Sequence, residues 1–190
     1  HSMEDIAVSS AIPNMTVLAP CDPEEMKLAT QWCATKSTGP VYMRLGKKGE
    51  PIVTKKSVDK FKIGKIRYIT KGDDVAIITY GVIISLAIKL KNNLENKGKS
   101  VSLISCHTIK PIDESGVLKM LNKHKKIIII EEHVPHGGLS SRVKEIAFNN
   151  KIQKTIKSFT LKDEFIHFYG SYDQLLEKHG LSLNNILKNI

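Results

Sequence analysis

Two short apolar segments joined by one amphipathic helix restrict the fold of this chain more than any other sequence feature. The segments VAIITY at 75–80 and VSLIS at 101–105 are nearly continuous in apolar side chains, which is typical of strands buried on both faces. Between them, apolar residues recur at helical spacing over residues 84–94, and Gly98 stands where a helix of this length would end. The pattern therefore predicts a right-handed crossover between two parallel strands of a sheet covered on both faces.

The same alternation of helix and strand continues to the end of the sequence. Asp113 can cap a helix that runs to about residue 122, and an apolar strand follows at 126–130. Further strands are predicted at 65–69 and 152–159, and further helices at 139–149, 171–180 and 182–190. These elements predict an α/β domain over residues 63–190, with a doubly wound, mostly parallel sheet of five strands.

Residues 1–48 show a second, shorter alternation of helices and strands. Asp22 can cap a helix that runs to about residue 36, and short strands are predicted on either side of it at 15–19 and 41–45. A lysine-rich passage that contains a proline follows at 49–62, and we interpret it as a linker. The first segment has the character of a partial α/β domain, so we expect the chain to be a C-terminal piece of a longer protein.

Net charge, apolar runs and cysteine spacing predict the location of the protein and the kinds of partner it binds. The formal charge of +10 is compatible with a nucleic acid, an acidic membrane or a phosphorylated substrate, but the lysines are scattered and no aromatic ladder accompanies them. No apolar run approaches the roughly 20 residues of a membrane span, and no signal peptide is present. The three cysteines lack a CxxC spacing. We therefore predict a cytoplasmic protein with reduced cysteines that binds neither nucleic acid nor membrane.

Motif searches exclude several familiar reaction classes. The sequence has no GxSxG, Walker, HExxH or GxGxxG pattern. Gly137 and Gly138 precede a predicted helix, where their amides could hold an anion, although close packing of the helix on a strand is the favoured interpretation. His107, His133 and His136 follow predicted strands, where open parallel sheets bind ligands, but their spacing matches no common metal-ligand set. We predict no metal site in this chain.

Arg44 and Lys47 are the strongest candidates for anion recognition. They follow the strand at 41–45, and a strand end beside glycine can present a cationic side chain to a cleft. On composition alone, the favoured interpretation is that both residues are ordinary exposed charges of a lysine-rich chain.

Five blocks of the sequence carry a wider similarity: MEDIAVSSAIPNMTVLAPCDPEE, GPVYMRLGKKGEP, CHTIKPID, EEHVPHGGLSSRV and YDQLLEKHGLSLNNIL. In this order they resemble the transketolase family, and the resemblance covers almost the entire chain. It implies that residues 1–48 are the end of a pyrimidine-binding domain, that 49–62 are a linker, and that 63–190 are the transketolase C-terminal domain. In the family, a diphosphate-binding domain and the rest of the pyrimidine-binding domain precede this region.

The resemblance implies an activity that this chain does not complete. Transketolases transfer a two-carbon ketol unit between sugar phosphates in the pentose phosphate pathway, with thiamine diphosphate and Mg as cofactors. His1 falls at or next to the family's substrate-contacting histidine, and Arg44 and Lys47 resemble the positions that receive the substrate phosphate. Lys47 stands where the family usually has arginine. A lysine cannot bind a phosphate through two parallel hydrogen bonds as an arginine does. The resemblance implies that the residues that hold the cofactors lie in the parts of the enzyme that precede this region. We therefore expect this chain alone to be inactive.

The resemblance also implies partners and leaves alternatives open. The expected partners are sugar phosphates and the diphosphate-binding domain or subunit of the same enzyme, in a homodimer or heterotetramer. The nearest rival enzymes are the deoxyxylulose phosphate synthases, which usually carry arginine and phenylalanine where this chain has His107 and Thr108. A rival of another class is a stand-alone assembly or regulatory binding module that acts through its basic surface. Residues 1–3 are compatible with a native sequence and with a vector remnant.

Overall fold

The computed structural model describes residues 3–47 and 49–190. The helices are α1 (Asp5–Ala11), α2 (Pro23–Thr35), α3 (Ile84–Asn96), α4 (Glu114–Lys123), α5 (Leu139–Asn149), α6 (Tyr172–Lys178) and α7 (Leu183–Asn189). The strands are β1 (Thr16–Leu18), β2 (Val41–Met43), β3 (Arg67–Thr70), β4 (Val75–Thr79), β5 (Val101–Ser105), β6 (Thr108–Lys110), β7 (Lys126–Ile130) and β8 (Thr155–Phe159). No helix in this part of the chain is long and apolar enough to cross a membrane.

The larger sheet has five strands in the order β3-β5-β4-β7-β8. Strand β4 lies in the middle and pairs in parallel with β5 and β7, so that Val75 lies beside both Val101 and Lys126. Strand β8 is also parallel to β7, whereas the edge strand β3 runs antiparallel to β5. The prediction of a mostly parallel five-stranded sheet is confirmed.

Helices cover both faces of this sheet because successive strand residues point to opposite sides. On one face, Ile78 and Ile129 are fully buried against apolar side chains of α4 and α5. On the other face, Ile77 and Ile128 are fully buried against α3 and α7. The fold is therefore doubly wound, as the sequence predicts. Burial on both faces also explains why these strands are almost uninterrupted runs of isoleucine and valine.

A second, smaller sheet joins two strands from before the predicted linker to one strand from after it. Its order is β2-β1-β6, with β1 parallel to β2 and antiparallel to β6. The outer strand β6 belongs to the later part of the chain, and the sequence analysis does not predict it. The described residues before the linker are thus hydrogen-bonded, through β1, to the part of the chain that follows the linker.

The passage at 49–62 is itself held against the larger sheet. Thr54 is fully buried, and the main chain of Val58 and Asp59 donates hydrogen bonds to the carbonyl groups of Ile69 and Tyr68. Contacts therefore extend across the predicted boundary. The division of the chain into residues 1–48, 49–62 and 63–190 stays a prediction.

Candidate functional site

A polar cluster around Arg44 forms where β2 and β7 end. We call Arg44, Asp5, Tyr42, Glu132 and Tyr172 the Arg44 cluster. Arg44 directly follows β2, and its main-chain amide still donates to the Leu18 carbonyl of β1. Glu132 follows β7, whose buried isoleucines place the next residues at the carboxyl edge of the larger sheet. Ligands bind at this edge in open parallel sheets.

The Arg44 guanidinium lies between two carboxylates. Nη1 donates a hydrogen bond to the main-chain carbonyl of Glu132 at 2.8 Å and lies 3.5 Å from Oδ1 of Asp5. Nη2 lies 3.6 Å from Oε1 of Glu132. Only 17% of the Arg44 side chain is exposed. Burial lowers the pKa of Arg44, but the charges of Glu132 and Asp5 outweigh it, and the net effect raises the pKa. Arg44 therefore stays cationic.

Two tyrosines fix the carboxylates on either side of Arg44. The Tyr42 hydroxyl donates to Oδ2 of Asp5 at 2.6 Å, and the Tyr172 hydroxyl donates to Oε2 of Glu132 at 2.9 Å. Burial, followed by the hydrogen bond to Asp5, raises the pKa of Tyr42 to about 12. Burial and the charge of Glu132 likewise raise the pKa of Tyr172. Both hydroxyls therefore keep their protons at neutral pH and act as donors.

Lys47 differs from Arg44 in being exposed. Among residues 3–47 and 49–190 it has no hydrogen-bond or ion-pair partner within contact distance. Its ammonium group can therefore approach an incoming anion without breaking an existing contact. His1, the third residue singled out in the sequence, lies outside the described residues.

Gly138, the second glycine of the pair, packs closely against a buried carboxylate. Glu131 is fully buried and accepts hydrogen bonds from the amides of Leu139 and Ser140 in the first turn of α5. The Tyr80 hydroxyl donates to the same carboxylate at 3.2 Å. The Glu131 carboxylate thus occupies the free amides at the start of α5, where an external anion could otherwise bind. A side chain at Gly138 would place its Cβ only 2.3 Å from Oε2 of Glu131.

Replacing Gly138 with alanine is expected to destabilise the protein by about 1–3 kcal/mol, because the added methyl group overpacks the site. The Cβ would meet Glu131 at 2.3 Å and Nδ1 of His133 at 3.0 Å. Urea unfolding would measure the change. Gly39→Ala is the matched control, since its Cβ would lie 3.5 Å from the Asn14 carbonyl, an ordinary contact. Equal stability of the two variants would contradict this account of the glycine pair.

The three histidines do not come together. His133 is fully buried, and its Nε2 accepts a hydrogen bond from the Ala7 amide while Nδ1 lies 2.8 Å from the Val134 carbonyl. His136 is exposed near Asp163. His107 is buried and stacks on Phe61 at a ring separation of 4.1 Å. Among the described residues, no group of three or more His, Cys, Asp or Glu side chains could hold a metal ion.

His107 is expected to make stability depend on pH. Burial lowers its pKa from 6.5 to about 4, so the unfolded chain takes up a proton first as the pH falls. Stability is complete above the unfolded pKa and declines between pH 6.5 and about 4. Between pH 7 and 5, the native protein should lose about 2 kcal/mol more than a His107→Gln variant, measured by urea unfolding. Equal losses in the two proteins would disprove this role.

A second polar network is buried between α2, the linker and the larger sheet. We call Asp22, Glu25, Thr54, Arg67 and Ser105 the Glu25 network. Glu25 is fully buried, and it accepts from the Ser105 hydroxyl at 2.9 Å and from Nη1 of Arg67 at 3.3 Å. Arg67 also donates to the Thr54 carbonyl at 3.1 Å. The network fixes α2 to β3 and β5.

Asp22 shows how one predicted helix cap gains a second role. Its Oδ1 accepts from the Glu25 amide at 2.9 Å, which confirms the predicted cap of α2. Its Oδ2 accepts from the amides of Val53 and Thr54. A single carboxylate therefore both begins the helix and anchors the linker.

Glu132, Tyr172 and Asp5 complete the Arg44 cluster, but they are not among the site residues that the sequence predicts. A signal was available for Glu132, because it follows a fully apolar strand in a chain with a surplus of lysine. Tyr172 offered no comparable signal. Its contact with Glu132 joins residues 40 positions apart in the sequence.

Family comparisons match almost the whole chain. The family model described as "Transketolase, C-terminal domain" matches residues 64–186. The model described as "Transketolase, pyrimidine binding domain" matches residues 1–50. The two matches follow each other in sequence without overlap.

Similar curated proteins are longer than this chain. A putative transketolase C-terminal section from Methanocaldococcus jannaschii is 34% identical over 193 residues, which cover 100% of this chain and 59% of that protein. A 1-deoxy-D-xylulose-5-phosphate synthase from Clostridium acetobutylicum is 32% identical over 187 residues, which cover 98% of this chain and 30% of the synthase. The chain thus spans between about a third and three fifths of the length of these relatives.

Two solved structures share the fold. One is described as a split gene transketolase in an inactive beta4 tetramer, and it superposes with a TM-score of 0.87 at 28% identity, covering 99% of this chain and 60% of that chain. The other is a transketolase from Campylobacter jejuni subsp. jejuni NCTC 11168, with a TM-score of 0.68 at 15% identity, covering 100% of this chain and 28% of that chain. The second likeness concerns the fold alone.

Proposed function

Since this chain belongs to the transketolase family, we propose that it is the C-terminal part of a thiamine diphosphate-dependent transketolase that transfers a two-carbon ketol unit between sugar phosphates. The observation that carries this proposal is the pair of consecutive family matches at residues 1–50 and 64–186. The relative from Methanocaldococcus jannaschii, itself described as a transketolase C-terminal section, supports the assignment to this part of the enzyme.

The cofactor belongs to the complete enzyme in this proposal. When bound, thiamine diphosphate supplies the carbanion chemistry that breaks and forms the carbon–carbon bond. The described residues offer no cluster of metal ligands for the Mg ion. We therefore assign the diphosphate and the metal to a diphosphate-binding domain or subunit that acts together with this chain.

This chain contributes the substrate phosphate site in the proposal. Arg44 keeps its charge because Asp5 and Glu132 flank it, and Lys47 is exposed three residues later in the sequence. An arginine and a lysine on one loop suit a phosphate dianion, since each can donate charge-assisted hydrogen bonds. His1 is proposed to contact the substrate near its carbonyl group. The phosphate would anchor one end of the sugar and leave the carbonyl end for the cofactor.

Assembly with further subunits is also part of the proposal. The chain spans 59% of the similar C-terminal section. The solved split gene transketolase with a similar fold is described as an inactive tetramer of one subunit type. We propose that activity needs the diphosphate-binding part, in a homodimer of complete chains or in a heterotetramer.

A synthase of 1-deoxy-D-xylulose 5-phosphate is the second candidate function. It is favoured by the 32% identity to the enzyme of that name from Clostridium acetobutylicum. The residues His107 and Thr108 argue against the synthase, because such synthases usually have arginine and phenylalanine in this block. The structure gives these residues internal roles, since Thr108 accepts from the Gly64 amide and contacts His107.

Titration with thiamine diphosphate and magnesium tests the proposal. The cofactor is expected to bind to a mixture of this chain with the diphosphate-binding part, and not to this chain alone, as measured by calorimetry. The same mixture should then transfer a ketol unit from a ketose phosphate. Binding without any transfer would favour the synthase, and neither binding nor transfer would favour a stand-alone assembly or regulatory module.

A further inference from the structure

We propose that Glu132 and Tyr172 are positioning residues that orient Arg44 toward the phosphate of the substrate. This inference rests on the proposed function and adds residues that come from the C-terminal part of the chain. It would make substrate affinity depend on a contact between the first 47 residues and the residues after β7.

Glu132 contacts Arg44 through both its main chain and its side chain. Its carbonyl accepts from Nη1 at 2.8 Å, and its Oε1 lies 3.6 Å from Nη2. The carbonyl cannot move without moving the end of β7, where Glu131 is tied to the first turn of α5. The hydrogen bond therefore holds the guanidinium in a fixed position relative to the core of the larger sheet.

Tyr172 determines which way the Glu132 carboxylate faces. Its hydroxyl donates to Oε2 at 2.9 Å, which leaves Oε1 directed at Arg44. Tyr172 is the first residue of α6, and the preceding Ser171 forms a capping box with Gln174. The capping box fixes the start of the helix and with it the tyrosine. Without the hydroxyl, the carboxylate would be free to rotate away from the guanidinium.

The contacts are strong enough to orient Arg44 but leave it able to bind an anion. The two carboxylate distances of 3.5 and 3.6 Å exceed the roughly 2.7–2.9 Å of a charge-assisted hydrogen bond. A guanidinium has five N–H donors, and one of them is engaged at 2.8 Å by the Glu132 carbonyl. Donors thus remain for a phosphate. A preoriented arginine also loses less conformational entropy when the phosphate binds.

Kinetics of the complete enzyme with ribose 5-phosphate and with ribose as acceptors test this inference. Tyr172→Phe should raise the KM for ribose 5-phosphate about three- to tenfold, with kcat and the KM for ribose nearly unchanged. Glu132→Ala should raise it further, and Glu132→Gln, which keeps an acceptor oxygen, should recover most of the loss. Tyr169→Phe is the control, because Tyr169 is fully exposed shortly before α6.

Three results would overturn the inference while leaving the proposed function intact. KM values for both acceptors that stay at the native level in both Tyr172→Phe and Glu132→Ala would show that neither residue positions Arg44. A lower KM for ribose 5-phosphate in Glu132→Ala would show that the carboxylate competes with phosphate. Equal increases for both acceptors would show a general structural role. A native enzyme that transfers no ketol unit would instead refute the proposed function.

Discussion

Arg67→Ala is expected to lower the free energy of unfolding by about 3–5 kcal/mol, because it leaves the charge of Glu25 buried without its partner. Glu25 is fully buried, and only 9% of the Arg67 side chain is exposed. The same change removes hydrogen bonds to the carbonyls of Asp59 and Thr54. Thermal unfolding should show a decrease in Tm of about 10 °C for a chain of this length.

Two further variants make this prediction specific. Lys71→Ala removes an ion pair to Asp59 in which both side chains are partly exposed, and it should cost less than about 1 kcal/mol. Replacing Glu25 and Arg67 together with apolar residues should cost less than the sum of the two single changes, because no unpaired charge remains. A cost below about 1 kcal/mol for Arg67→Ala would mean that the Glu25 network does not hold the two parts of the chain together.

The second large effect is expected in substrate discrimination. In the complete enzyme, Lys47→Ala should raise the KM for phosphorylated sugars about tenfold or more, while the KM for unphosphorylated sugars changes little. A hydrogen bond to a charged group is worth about 1.5–3 kcal/mol, which corresponds to about a 10- to 100-fold change in affinity. Lys47 suits this test because it is exposed, so its removal should leave the fold intact.

Lys89→Ala provides the matched control for charge. Lys89 is an exposed lysine on α3, and its removal changes the net charge by the same amount without altering the loop after β2. Both KM values should stay near those of the native enzyme. Equal increases for phosphorylated and unphosphorylated sugars in Lys47→Ala would remove this lysine from the phosphate site.

Local sequence patterns were sufficient to predict the larger sheet and its helices. Strands β5 and β7 and helix α5 lie where the apolar runs and the glycine pair place them. Each of these elements is specified by its own residues, since burial on both faces requires a continuous apolar run. The cap at Asp22 was equally readable, because the side chain bonds to an amide only three residues away.

Contacts between distant residues could not be predicted in the same way. Strand β6 is a three-residue segment, TIK, that is recognisable only by its pairing with β1 about 90 residues earlier. The carboxylate of Glu25 accepts from the Cys21 amide at the start of α2, but it also accepts from Ser105, which lies 80 positions away and could not be foreseen. Arg44 and Lys47 could be selected as cations, whereas the acidic and tyrosine partners of Arg44 depend on the tertiary fold.

The central claim is that this chain forms part of an enzyme that transfers a two-carbon ketol unit. Mass spectrometry of the sugar products tests it most directly, with the reconstituted enzyme, a ketose phosphate labelled with ¹³C at its first two carbons, and ribose 5-phosphate as acceptor. The account predicts that both labelled carbons appear together in a product two carbons longer than the acceptor. No transfer of label to such a product in an assembled enzyme with bound cofactor would contradict it.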